Sequence, residues 1–171
     1  VLLAGVVIGC STRKSTDKTA VLVDNLSEPR NGATSARIDI HAGDGNLSVD
    51  GRASENLLAE GTLEYTEKQG LPVRSLEASG GVTVLALRGG DSMEPRSRLP
   101  WAACNGATEW QLHLNPTVTS EVSAHSDGGN LNVDLGGTAV TRAKADTSGG
   151  NVDLVLPAHE HLLTTPTGFT P

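Results

Sequence analysis

The length, charge and composition of the chain exclude several classes of protein. Its 171 residues suit one domain with flanking tails, and only 2% of them are aromatic, so Val, Leu, Ile and Ala must build the core. The formal net charge of −7 argues against a nucleic-acid partner, because proteins that bind nucleic acids normally present a basic face. We interpret the acidity as a feature of solubility.

The first ten residues, Val1–Cys10, are mostly apolar and end in Gly9-Cys10. The run is too short to span a bilayer, which takes about 20 apolar residues, and it has the length of the hydrophobic part of a secretion signal. Neither an initiator Met nor a basic segment precedes it. We therefore expect the sequence to begin inside a longer precursor, with residues 1–10 as a truncated signal peptide.

The segment Val7-Ile8-Gly9-Cys10 resembles the lipobox of bacterial lipoproteins, with an aliphatic residue three places before the Cys and a small residue directly before it. The resemblance implies that Cys10 is the acylated first residue of the mature protein. Several acyl chains on one residue would hold the protein stably at a membrane. An uncleaved signal, a different cleavage site and the end of a transmembrane helix remain as alternatives. With Cys10 acylated, Cys104 has no disulfide partner and is expected to be a buried thiol.

After the lipobox, residues 11–35 are predicted to form a polar tether, although Val21-Leu22-Val23 could begin a strand. Residues 36–158 contain short segments in which apolar and polar residues alternate, as in strands with one buried face. The segment Gly89–Pro100 is predicted to be the longest surface loop, and residues 159–171 a flexible tail. The strands are predicted at residues 36–41, 46–50, 57–65, 73–78, 82–87, 110–114, 131–135, 138–145 and 151–156.

A glycine turn followed by alternation recurs along the chain. Ser126–Leu135 returns as Ser148–Leu154, with looser copies at Ala42–Asp50 and Ser79–Leu85. Paired glycines supply the backbone angles of the turn. Asn130 and Asn151 stand 21 residues apart, the length of one strand-turn-strand unit. Because no helical periodicity appears, we predict an all-β fold, as a β-solenoid-like stack of repeats with a β-sandwich as the alternative. The apolar faces of the two clearest copies are predicted to be buried: Leu131, Val133 and Leu135, and Val152, Leu154 and Leu156.

Four segments together resemble the toastrack domain of adhesins and of the extracytoplasmic half of bacterial cell-wall-stress membrane proteins. They are Gly43–Val49, Trp110–Pro116, Gly128–Leu135 and Gly149–Pro157. The resemblance implies a β-helix-like stack that binds or senses and does no chemistry. Many members of that family stack more coils than this chain supplies, so we expect its C-terminal end to be incomplete or capped differently.

Two acidic segments resemble calcium-binding loops without meeting their requirements. In Asp44–Asp50, oxygen-bearing side chains alternate, but Val49 stands where a calcium loop needs Gly, and no bidentate Glu follows. Asp127–Asp134 resembles a calcium β-roll, which needs tandem copies of its repeat. We expect both segments to form the solvated face of strands.

Neither a metal site, a cofactor site nor a catalytic site is predicted. His159-Glu160-His161 is the one histidine pair close in sequence and is expected to be solvated, whereas His41, His113 and His125 stand isolated. The chain lacks a Gly-x-Ser-x-Gly nucleophile elbow and a phosphate-binding Gly-Lys-Ser/Thr motif.

Together these features predict a non-enzymatic, extracytoplasmic lipoprotein, anchored to a bacterial membrane through Cys10, that acts as an adhesin-like binding module. Its expected partner is an envelope protein or a glycan. The alternative from another class is an accessory protein that modulates a cell-envelope stress sensor, and the third possibility is an enzyme.

Overall fold

The computed structural model describes residues 20–79, 81–90 and 108–158, which form β-strands and no helix. The predicted all-β class is therefore confirmed for this part of the chain. In chain order the strands are β1 (Val21–Pro29), β2 (Ser35–His41), β3 (Gly45–Asp50), β4 (Leu57–Thr66), β5 (Val73–Ser79), β6 (Val82–Arg88), β7 (Thr108–Leu114), β8 (Thr119–Ser126), β9 (Leu131–Asp134), β10 (Val140–Thr147) and β11 (Val152–Val155).

The strands form two mixed sheets. The first sheet has the order β1-β4-β7-β3-β9-β11, and the second has the order β10-β8-β2-β6-β5. All neighbours among β7, β3, β9 and β11 are parallel, as are those among β6, β2, β8 and β10. Antiparallel strands lie outside these parallel blocks: β4 and β1 in the first sheet, and β5 in the second.

The chain repeatedly passes from the second sheet to the first. In this way β2 is followed by β3, β8 by β9 and β10 by β11, and the three pairs are neighbours in that order in both sheets. Because the two strands of each pair lie in different sheets, the glycine turns that follow β2, β8 and β10 are corners between the sheets. Residues 36–50 contain the first of these corners, because β2 lies in the second sheet and β3 in the first. The copy at Ser79–Leu85 differs, because β5 and β6 form an antiparallel pair.

Close contacts between successive corners explain the recurring Gly-Asn. A side-chain carbon on Gly129 would lie 2.0 Å from the carbonyl oxygen of Gly45, and one on Gly150 would lie 2.3 Å from that of Gly129. Beside the glycines runs an asparagine ladder, defined as Asn46, Asn130 and Asn151. Asn46 Oδ1 accepts a hydrogen bond from the Asn130 backbone N–H at 2.9 Å, and Asn130 Oδ1 accepts one from Asn151 at 3.1 Å. The repeat thus specifies how each corner stacks on the last.

Both sheets contribute to one hydrophobic core, as the alternation predicts. Trp110 is its largest fully buried side chain, and its Nε1–H donates to the Glu64 carbonyl oxygen at 3.0 Å. The predicted burial of Leu131, Val133 and Leu135 is confirmed, and the alternating apolar side chains of β7 are buried in the same way. Core residues from these and neighbouring strands include Ile38, Ile40, Leu47, Val49, Leu63, Leu85, Leu87, Leu112, Leu114, Val122, Ala124, Leu131, Val133 and Leu135.

The predicted tether over residues 11–35 is wrong in its second half. Val21–Pro29 forms β1, which pairs with β4 along its whole length, and Leu26 is buried. The alternative, in which Val21-Leu22-Val23 begins a strand, is the one that the structure has. The strand lies at the edge of the first sheet, where these three side chains stay exposed, so its alternation is weak.

The predicted buried face of the last repeat is also wrong. Val152, Leu154 and Leu156 are exposed by 44%, 36% and 53%. Val152 and Leu154 lie on β11, the last strand of the first sheet, and Leu156 directly follows it; among the described residues nothing is stacked beyond this strand.

Several predicted features lie outside the described residues. These are Cys10 with the lipobox, Cys104, residues 91–100 of the predicted loop and the pair His159 and His161. In the part of the chain that is described, we find no helix with the length and apolar character to cross a membrane.

Candidate functional site

A row of polar side chains crosses the second sheet at the end of its parallel block. The parallel register places His41 of β2 beside His125 of β8, and His125 beside Asp146 of β10. In the sequence these two histidines stand isolated, 84 positions apart, and the fold brings their side chains together. Only the pairing of β2 with β8 reveals the contact, and no local pattern encodes that pairing.

Three side chains form a compact group, which we call the histidine cluster: His41, His125 and Asp127. Asp146 contacts this cluster through His125. The imidazole centroids lie 4.7 Å apart with the rings nearly perpendicular. Asp127 follows β8 directly, and its carboxylate oxygens lie 3.1 Å from His41 Nε2 and 3.2 Å from His125 Nε2. Asp146 Oδ2 lies 2.5 Å from His125 Nδ1. One carboxylate therefore bridges two rings, and a second one orients His125.

The surroundings change the acidity of the cluster. Burial alone would lower the pKa of His125, but hydrogen bonds and charges from Asp146 and Asp127 outweigh it and raise that pKa. The pKa of Asp146 is lowered, first by Lys144, whose Nζ lies 3.0 Å away, and then by His125. These shifts favour a protonated His125, which donates one ring N–H to Asp146 and the other to Asp127.

A second polar feature lies on the outer face of the first sheet, where β3 and β9 run side by side. It is an open depression of about 400 Å³, which we call the polar depression. A carboxylate at one side is held firmly: Asp50 accepts from Arg52 Nε at 2.8 Å, and His113 Nδ1 lies 2.7 Å away. The lining residues are Ser48, Val49, Asp50, Gly51, Arg52, Asn132, Asp134 and Gly137.

The contacts of Asp50 also favour its ionised form. Burial would raise the pKa of this carboxyl, yet hydrogen bonds from Arg52 and His113 outweigh the burial and lower it. Asp50 and Asn46 are members of the segment that resembles a calcium loop. The structure engages both in protein contacts, Asp50 with Arg52 and Asn46 with Asn130.

Comparison with known proteins gives one family and one similar fold. The family described as the N-terminal domain of toast_rack, DUF2154, matches residues 11–163. The structure is similar to that of a putative cell adhesion protein from Clostridium sporogenes, with a TM-score of 0.69 and 21% identity. The similarity covers 79% of this chain and 61% of that one, so the chain spans about three fifths of its neighbour. No curated protein matches. Because the family match extends over most of the sequence, the chain belongs to the toast_rack N-terminal domain family, and the predicted toastrack resemblance is confirmed.

Proposed function

We propose that this protein is a non-enzymatic, adhesin-like binding protein of the cell envelope, held at a bacterial membrane by a lipid on Cys10. In this proposal the parallel strands form a β-solenoid-like stack, and the polar depression binds a hydroxyl-rich glycan of the wall. The proposal rests chiefly on that depression, which is open, polar and built on neighbouring strands of one sheet.

The chemistry of the depression suits a glycan. Asn132 offers both an amide donor and an acceptor, Arg52 offers planar donors, and Asp134 offers an acceptor, so sugar hydroxyls could be bound in either role. The hydrogen bonds that hold Asp50 keep the site rigid before a ligand arrives, which lowers the entropic cost of binding.

The comparisons support the proposed class and location of the protein. The family is that of a toast_rack domain, and the structurally similar protein is named for cell adhesion. A domain of this kind would act outside the cytoplasm, where the lipobox resemblance of Val7–Cys10 also directs it.

The lipid anchor predicts how the protein partitions between cell fractions. We expect the protein, expressed behind a complete secretion signal, to sediment with membranes, and the variant Cys10→Ser to be released, because Ser lacks the sulfur atom that would carry the lipid. Immunoblots of membrane and soluble fractions measure the effect, with Cys104→Ser as the matched control. Equal membrane association of the wild type and Cys10→Ser would contradict the anchor.

Binding to purified cell-wall sacculi tests the depression. The Cys10→Ser protein should co-sediment with sacculi, and adding Arg52→Ala and Asn132→Ala should weaken binding at least about tenfold, or roughly 1.4 kcal/mol. The control pair is Arg142→Ala with Ser123→Ala, which removes an arginine and a small polar group from the second sheet.

Two results of the sacculus experiment would contradict the proposal: no binding by the Cys10→Ser protein, or equal weakening by both pairs of substitutions. If the Cys10→Ser protein does not bind the wall but the anchored wild type is retained by a membrane sensor, the sensor-modulating alternative is favoured instead.

A further inference from the structure

We propose that His41, His125 and Asp127 form a binding site for a divalent transition-metal ion, Zn²⁺ in particular, on the outer face of the second sheet. This inference is independent of the proposed glycan site, which lies on the first sheet. Among the described residues, this group offers one ligand atom from each side chain, all within 4.8 Å of one another. Two imidazoles and a carboxylate are ligands that Zn²⁺ commonly takes.

The distances fit the metal. Zn²⁺ holds nitrogen and oxygen ligands at about 2.0–2.2 Å, so two neighbouring ligands of a tetrahedron lie roughly 3.3 Å apart. Asp127 Oδ2 lies 3.1 Å from His41 Nε2, Asp127 Oδ1 lies 3.2 Å from His125 Nε2, and one ligand atom from each side chain lies within 4.8 Å of the others. The ion could therefore enter between the three groups with small side-chain rotations.

Asp146 supplies the support that metal-binding histidines usually have. Its carboxylate oxygen Oδ2 lies 2.5 Å from His125 Nδ1, and Nε2 of the same ring is directed towards Asp127. A carboxylate behind a histidine fixes the ring and raises the basicity of the ligating nitrogen. With neutral imidazoles, Asp127 and Asp146 provide the negative charge of the site, and the Lys144 ammonium, 3.0 Å from Asp146 Oδ1, offsets part of it.

The backbone holds the three ligands before any ion arrives. The Ala42 N–H donates to the His125 carbonyl oxygen at 2.9 Å, and the Asp127 N–H donates to that of Gly43 at 2.8 Å. On the other side of β2, the Gly89 N–H donates to the His41 carbonyl oxygen at 2.7 Å. Ligands on paired strands are placed more accurately than ligands on separate loops.

Solvent can reach the cluster and complete the coordination. The side chains of His41, His125 and Asp127 are exposed by 40%, 26% and 24%. Three protein ligands and a partly open face leave a fourth position for water or for a group from a partner. The competing occupant is a proton on the imidazoles, in which case the group is only an ion-pair cluster.

Calorimetric titration with ZnCl₂ at pH 7.5, on protein free of affinity tags, tests the proposal. We expect one Zn²⁺ per chain, and a melting temperature that rises by roughly 5–10 °C at a hundredfold excess over Kd. His41→Gln and His125→Gln should each weaken binding at least tenfold. The matched control His113→Gln, on the first sheet, should bind as the wild type does.

Asp146→Asn separates positioning from ligation. This change keeps all three ligands and should weaken Zn²⁺ binding about 10- to 100-fold. With Co²⁺ as the probe, the variant should retain the visible absorption of the wild-type complex once saturated, whereas His125→Gln should alter its shape.

Three results would overturn the metal site. The first is a wild type that binds Zn²⁺ no better than the folded double variant His41→Gln/His125→Gln. The second is binding that disappears in His159→Gln/His161→Gln, since the ion would then belong to the C-terminal segment. The third is a loss in His113→Gln equal to that in His41→Gln.

Discussion

Replacing Gly129 by Ala is expected to lower the free energy of unfolding by roughly 3 kcal/mol, at the upper end for overpacking. The added carbon would lie 2.0 Å from the carbonyl oxygen of Gly45 and 2.7 Å from the backbone N of Asn46. Both atoms belong to the backbone of the neighbouring corner, so no side-chain rotation can relieve the contact. The corner must move away and strain the asparagine ladder beside it, where Asn46 Oδ1 accepts from Asn130.

Gly149→Ala is the matched control, because Gly149 stands in the equivalent Gly-Gly-Asn of the last repeat and a side-chain carbon there meets nothing within 4 Å. We expect its stability to stay within about 0.5 kcal/mol of the wild type. Urea unfolding followed by circular dichroism measures both variants. Equal stability of Gly129→Ala and Gly149→Ala would show that the corners are not in contact.

Trp110→Ala is expected to cost about 3–5 kcal/mol, the usual range for removing a large buried aromatic side chain. Trp110 is 2% exposed, stands beside Leu63 of β4 and Leu47 of β3 in the register, and donates to the Glu64 carbonyl oxygen. Truncation therefore leaves a cavity where the antiparallel edge meets the parallel block, and it also removes the partner of a carbonyl group.

Two further variants make the Trp110 prediction specific. Trp110→Phe retains most of the ring volume and should lose clearly less stability than the alanine variant. Leu71→Ala, at a side chain that is 59% exposed, should stay near the wild type. A loss in Trp110→Ala as small as that in Leu71→Ala would contradict the position of Trp110 in the core.

The sequence predicts most strands of the parallel blocks and the direction in which their side chains point. Alternation alone gives the burial of Trp110, Leu112 and Leu131, because every second residue of a strand lies on the same face and the apolar face is the buried one. It fails for Val152 and Leu154, whose pattern is equally regular. Burial there depends on what lies beyond the last strand, and this information is not local.

The candidate sites were largely invisible in the sequence. The histidine cluster depends on which strands become neighbours. Five other strands lie between β2 and β8 in the chain, so their pairing cannot be read from nearby residues. The cluster has one recognisable signal in retrospect: His41 is the last residue of β2, His125 is the second-last residue of β8, and a glycine corner follows both strands. If two corners stack, the residues before them stack as well.

Backbone proton contacts measured by NMR report whether successive repeats stack in parallel. We predict cross-strand contacts between Leu47 and Leu131 and between Leu131 and Val152, in the register of β3, β9 and β11. Contacts that instead join Ile40 to Leu47 as the paired strands of a hairpin, with none between Leu47 and Leu131, would contradict the stack, its glycine corners and the histidine cluster together.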